Sequence, residues 1–170
     1  MQPMVQLGPD DQHPFPLLVT TSKSPRTPDE LPLVENFRIE EMSWANPVGA
    51  DLRDAQQAEL DDRYGEPGKE PGIKPSADDI TLFLVAYPIP IIHNPQSDKI
   101  SKIESTPIAC GALRHLEEGY MEIKRMYAVP SVRGSGAALA ILLSLERYAR
   151  VIGVKGLKLE TGNLQGDAMA

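Results

Sequence analysis

The chain has a single cysteine, Cys110, and a single tryptophan, Trp44, among only 9 aromatic residues in 170. One cysteine excludes an intrachain disulfide and a cysteine-based zinc cluster, and it fits a reducing compartment; the plain reading of Cys110 is a core thiol. No apolar run approaches the ~20 residues that cross a bilayer, and the N-terminus lacks a basic stretch followed by an apolar core. The sequence therefore reads as that of a soluble, cytoplasmic protein without membrane partners. Basic residues are the minority charge: 17 Lys and Arg stand against 24 Asp and Glu, for a net charge of −7. That balance excludes a general affinity for nucleic acid, whose phosphates require clustered cations. The three histidines, His13, His93 and His115, lie far apart without ligand spacing, so no metal site is expected.

Proline is scarce only in the second half. Of 16 prolines, 14 precede residue 96 and 11 lie within residues 1–75. Because proline interrupts helices and central strands, the skew predicts a proline-rich, mobile segment over residues 1–35 and a folded domain over residues 36–170. Phe37 to Trp44 reads as a strand or the start of a helix. Asn46-Pro47 has the form of a helix cap with proline at the first helical position, and Gly65 is a natural terminator, which predicts a polar surface helix over about Ala50–Tyr64.

From residue 79 the pattern sharpens. Ile80 to Tyr87 is a nearly continuous apolar, β-prone run, as in a strand buried on both faces. Thr106 to Leu116 and Tyr120 to Ala128, joined by Glu117-Glu118-Gly119, read as two further strands of an antiparallel meander. Alternation along the last would put Glu122, Lys124, Met126 and Ala128 on one face and Ile123, Arg125 and Tyr127 on the other. Gly136 to Ile152 then spaces apolar residues by three and four, which predicts a buried helix, and Gly156 to Thr161 reads as a strand. Strand, helix and strand make a βαβ crossover. The expected class is α/β (α+β): a mixed sheet in which an antiparallel meander is followed by that crossover.

The informative loop is Val129-Pro130-Ser131-Val132-Arg133-Gly134-Ser135-Gly136-Ala137-Ala138, between strand and helix. Its glycines allow successive N–H groups to converge, and the helix that begins there adds unpaired N–H groups and a positive dipole end. Such a loop cradles a pyrophosphate through main-chain donors, whatever the net charge of the protein. A P-loop would need a Gly-Lys pair, which is absent. A dinucleotide fold is a rival, with Gly134 and Gly136 before a helix and Glu160 closing the next strand, although Leu139 stands where its third glycine belongs.

The run from Arg133 to Ala138 also matches the Q/R-x-x-G-x-G/A signature of the GNAT N-acetyltransferase superfamily. Met126-Tyr127-Ala128-Val129-Pro130 resembles the strand end that precedes that signature. Leu157 to Gly162 and Gln165 to Ala168 resemble the strand and helix start that follow it. The resemblance implies a GNAT-like sheet that binds acetyl-CoA as co-substrate. Backbone N–H groups of Arg133, Gly134, Ser135, Gly136, Ala137 and Ala138 would hold the pyrophosphate, with Ser135 at a position often basic in the superfamily. Main-chain groups of Met126 and Ala128 would bind the pantetheine arm, and an N–H near Met126 or Tyr127 would polarise the thioester carbonyl. Gln165 stands where a cofactor-binding asparagine is common, and Glu122 stands where some members carry a general base, beside the plainer reading that it pairs with a neighbouring cation.

The implied reaction is direct acetyl transfer to an amine of a small molecule or protein, with a homodimer compatible. The usual tyrosine acid and the last helix and strands would fall beyond Ala170, so the residues given look like such a domain without its C-terminal portion. Two alternatives stay open, a non-catalytic CoA-binding module and a Rossmann-like nucleotide-binding domain. The acidic residues of the polar helix suggest attraction for a cationic amine, or simply a solvated face.

Overall fold

The computed structural model describes residues 4–6, 14–23, 33–69, 72–89 and 106–160. One seven-stranded sheet runs through the molecule in sequence order: β1 (Met4–Gln6), β2 (Leu17–Lys23), β3 (Leu33–Glu41), β4 (Ile80–Ile89), β5 (Ala109–Glu117), β6 (Tyr120–Ala128) and β7 (Gly156–Leu159). Every neighbouring pair is antiparallel except the last, in which β7 runs parallel to β6. Helix α1 (Pro47–Tyr64) joins β3 to β4, and helix α2 (Ala137–Val151) makes the crossover from β6 to β7. This is the expected meander and βαβ unit.

Each helix covers a different face. On one face, Leu82, Leu84 and Ala86 of β4 meet Ala137, Ala140, Ile141 and Leu145 of α2; on the other, Phe83, Val85 and Tyr87 meet Leu52 of α1 and the Cys110 thiol. Being apolar on both faces is what makes β4 read as a continuous hydrophobic run. Helix α1 starts where Asn46 Oδ1 accepts the Val48 N–H at 2.9 Å, and it ends at Gly65 in the left-handed conformation. Its buried residues are only Gly49 and Leu52, so the expected polar surface helix is present, beginning one turn earlier.

Helix α2 lies very close to β5. A Cβ at Gly111 would come within 2.6 Å of Ile141 Cγ2 and Met126 Sδ. Gly111→Ala is therefore expected to push α2 off the sheet and cost about 1–3 kcal/mol, the usual penalty for overpacking, read as a lower denaturation midpoint with an unchanged slope.

Two expectations need correction. The reading of residues 1–35 as a segment apart from the domain fails for 14–23, because β2 lies between β1 and β3 and buries Leu17 and Val19 completely or nearly so. The alternation Leu17, Val19, Thr21 gives this strand an inward face despite its proline-rich flanks. The face assignment along β6 also fails. Ala112 pairs with Lys124 but Cys110 with Tyr127, so Arg125 and Met126 together oppose Gly111 in a β-bulge, with Arg125 at φ 55°. Before the bulge Met121 and Ile123 face α2; after it Met126 and Ala128 do, while Tyr127 turns toward α1. Glu122 and Lys124 thus lie on the opposite face from Met126 and Ala128.

Candidate functional site

Past the bulge, β6 has an open edge. It pairs with β7 only from Tyr120 to Ile123, so among the described residues Lys124–Ala128 has no strand partner on that side. The Val129 N–H binds Ile108 O at 2.9 Å, toward β5. By the alternation of strand backbone, the N–H and C=O of Ala128 and Met126 turn to the other, open edge. Two side chains reach those carbonyls: Gln56 Nε2 donates to Met126 O at 2.9 Å and Arg133 Nε to Ala128 O at 3.1 Å. Tyr127 is buried toward α1, its hydroxyl pKa raised by burial and next by the charge of Glu59.

The glycine loop borders this edge. Ala128, Val132, Arg133, Gly134, Gly136, Ala137, Ala138 and Leu139 line a half-open cleft of about 230 Å³ at the start of α2. A 3-10 turn (Pro130–Val132) leads into it, and Gly134 and Gly136 take φ of 80° and 100°. The loop's donors fall into two sets. The N–H groups of Arg133 and Ser135 are used by Pro130 O and Val132 O, and that of Ala137 reaches Ser135 Oγ at 3.4 Å. Those of Gly134, Gly136 and Ala138 have no protein acceptor among the described residues. Three such donors beside a cavity and at a helix N-terminus suit an anion.

Three side chains hold the loop, none of them foreseen. Thr21 of β2 donates to Ser135 O at 3.3 Å, and Lys23 Nζ donates to Gly134 O at 2.9 Å. Glu59 of α1 pairs with Arg133 Nη2 at 2.6 Å, and that hydrogen bond leads the effects holding the Glu59 carboxyl below its ordinary range. Lys23 lies in a proline-rich stretch, and nothing in its neighbourhood in the sequence marks it for this place. It supplies beside the loop the positive charge that Ser135 does not.

Glu122 lies 4% exposed on the α1 face, between Arg114 Nε and Lys124 Nζ, each at 2.7 Å. Burial pushes its pKa up, but the hydrogen bonds from Lys124 and Arg114 outweigh burial and hold it below the ordinary carboxylate range. A carboxylate so paired gives up its proton readily and is a weak base. Cys110 is fully buried, its thiol pushed up to about 12 by burial, and it is inert as a nucleophile. His115 is exposed, no group of metal-binding residues forms among the described residues, and no helix there is long and apolar enough to cross a membrane. Gln165, His13 and His93 lie outside the described residues.

A curated relative, an IAA acetyltransferase of Azospirillum brasilense, is 36% identical over 72 residues, which cover 42% of this chain and 47% of the relative. The match thus spans about half the relative's length. Among solved structures, a Klebsiella pneumoniae protein provisionally described as an acyl-CoA N-acyltransferase is 25% identical, with a TM-score of 0.55 over 78% of this chain and 77% of that one. The N-acetylglutamate synthase of Neisseria gonorrhoeae, at 17% identity, shares the fold with a TM-score of 0.53 over 78% of this chain and 27% of its own. The open β6 edge, the glycine loop and the crossover helix fall within residues 58–170, which match the model of the acetyltransferase (GNAT) family, and the chain belongs to that family.

Proposed function

We propose that the chain binds acetyl-CoA across the β6 edge and the glycine loop and transfers the acetyl group to an amine. The observation that carries this reading is the cavity at the start of α2, where the unpaired N–H groups of Gly134, Gly136 and Ala138 meet the open strand edge. Acetyl-CoA supplies an activated acyl thioester. In this reading the Gly134, Gly136 and Ala138 N–H groups hold the pyrophosphate, and Met126 and Ala128 offer main-chain groups to the pantetheine arm. A Met126 N–H fixed at the bulge favours charge developing on the thioester oxygen, because a preset dipole costs no reorganisation during reaction. The amine nitrogen forms the new C–N bond, the C–S bond breaks, the amine proton leaves to a base, and the CoA thiol departs.

The pairing of Glu122 favours solvent, rather than this carboxylate, as the carrier of that proton. It equally lends weight to a second reading, a CoA-binding module without catalysis. Calorimetry with acetyl-CoA, CoA and NAD separates the readings: binding of acetyl-CoA and CoA supports both CoA readings, and binding of NAD alone would sink them. Thiol release across an amine panel then separates catalysis from binding.

Lys23 offers a further check. We assign its ammonium to a cofactor phosphate, from its contact at Gly134. Lys23→Gln is expected to weaken acetyl-CoA binding about threefold and to flatten its dependence on salt, as loss of one exposed charge does. Unchanged affinity and salt slope would remove Lys23 from the site.

A further inference from the structure

Beside the bulge, on the α1 face, lies a second cavity of about 160 Å³. Among the described residues its wall holds Trp44, Arg53, Lys74 and Arg125, with Asp54 the one carboxylate, in a chain whose net charge is −7. The Arg53 Cζ lies over the Trp44 ring, 3.9 Å from its centre, and Nη2 of the guanidinium donates to Trp44 O at 2.7 Å. Its Nη1 is shut from solvent and has no acceptor among the described residues. Burial is the main cause that lowers the Arg53 pKa; the charge of Asp54 opposes it, and the like charge of Arg125 adds a smaller push downward. Arg125 Nη1 donates to Gln57 Oε1 at 3.0 Å, which holds its guanidinium at the cavity wall. Cationic groups gathered in a cavity, one with a buried donor unsatisfied, call for an anion, and a carboxylate fits a guanidinium by accepting two parallel hydrogen bonds. The protein's overall field would repel that anion, so the wall is selective rather than part of a general basic surface.

We propose that this cavity anchors the acetyl acceptor and that the acceptor is a small amine carrying a carboxylate, gripped by Arg53 beside Trp44, with Lys74 and Arg125 completing the cationic wall. The inference rests on the acetyl-transfer reading above. The bulge links the two places, since Arg125 lines the cavity and Met126, one residue on, turns its backbone to the open β6 edge. Because Nη1 is covered, the carboxylate reaches it by turning the guanidinium against the indole, which disturbs Trp44.

Trp44 is the only tryptophan of the chain, so its emission reports occupancy directly. The experiment titrates the protein, saturated with CoA, with β-alanine and L-phenylalanine and with their counterparts lacking the carboxylate, ethylamine and phenethylamine. At least one carboxylated member is expected to change the emission saturably, at a concentration about tenfold or more below its counterpart. Arg53→Gln is expected to abolish that preference and Arg53→Lys to restore part of it. Lys74→Gln, at an exposed loop position where folding is not at stake, is expected to weaken the carboxylated ligand about threefold. Counterparts that bind as well as the acids, or a panel that leaves Trp44 unmoved, would overturn the proposal. Calorimetry with acetyl-CoA keeps the two ideas apart: acetyl-CoA binding without a carboxylate preference sinks the acceptor class alone, whereas no acetyl-CoA binding sinks the reading beneath it.

Discussion

Gly136→Ala is expected to weaken acetyl-CoA binding at least about tenfold and to lower the Tm by about 5–10 °C. Two independent costs meet at this residue. Its φ of 100° is one that residues with a Cβ rarely adopt, a strain of about 1–3 kcal/mol. A Cβ there would also overlap Thr21 Oγ1 and lie 2.8 Å from Thr21 Cβ, both on a strand fixed at its two edges. The loop must yield, and with it the alignment of the Gly134, Gly136 and Ala138 N–H groups. Differential scanning fluorimetry and calorimetry with acetyl-CoA read the two effects separately. Full affinity in a destabilised variant would mean that the cofactor is not held by this loop.

Glu122→Gln is expected to cost about 3 kcal/mol at neutral pH, because it leaves Arg114 and Lys124, 13% and 12% exposed, without their common carboxylate. The penalty should depend on pH in a definite direction. A carboxyl whose folded pKa is lowered contributes stability that is complete above the unfolded value of about 4.3, and that contribution is lost as pH falls through the folded value. Melting temperatures of wild type and variant should therefore stay apart at neutral pH, begin to converge as pH falls below about 5, and go on converging until the carboxyl is protonated in the folded protein. A gap that stays constant would contradict the ion-pair account. Loss of turnover with unchanged melting would return Glu122 to the role of general base.

Much of the fold was legible because its signals were local. Asn46-Pro47 and Gly65 bracket α1, the Tyr120–Ala128 strand ends at a proline, and the 3.6-residue period marks α2. The glycine loop was legible too, since glycine takes the positive φ found at Gly134 and Gly136 without steric cost. What escaped depends on partners. In β2 the inward alternation is short and the neighbouring sequence is rich in proline, so only pairing with β1 and β3 reveals it. The bulge is invisible in Lys124-Arg125-Met126, because it is set by the register against Gly111 and not by a glycine in β6. From that omission followed the misplacement of Glu122. The cationic cavity gathers α1, a loop and β6, and no spacing in sequence brings Arg53, Lys74 and Arg125 together.

The contacts of Thr21 and Lys23 with the loop join positions 114 and 111 residues apart. Closing so long a span is among the last things a chain can do, since the entropy of closure must be met before such contacts repay it. The floor of the glycine loop is supplied by β2, a strand far from it in sequence. Ligand affinity in this protein thus doubles as a gauge of finished folding. On the proposed reading, a chain that retains acetyl-CoA is one in which Thr21 and Lys23 have already reached the glycine loop.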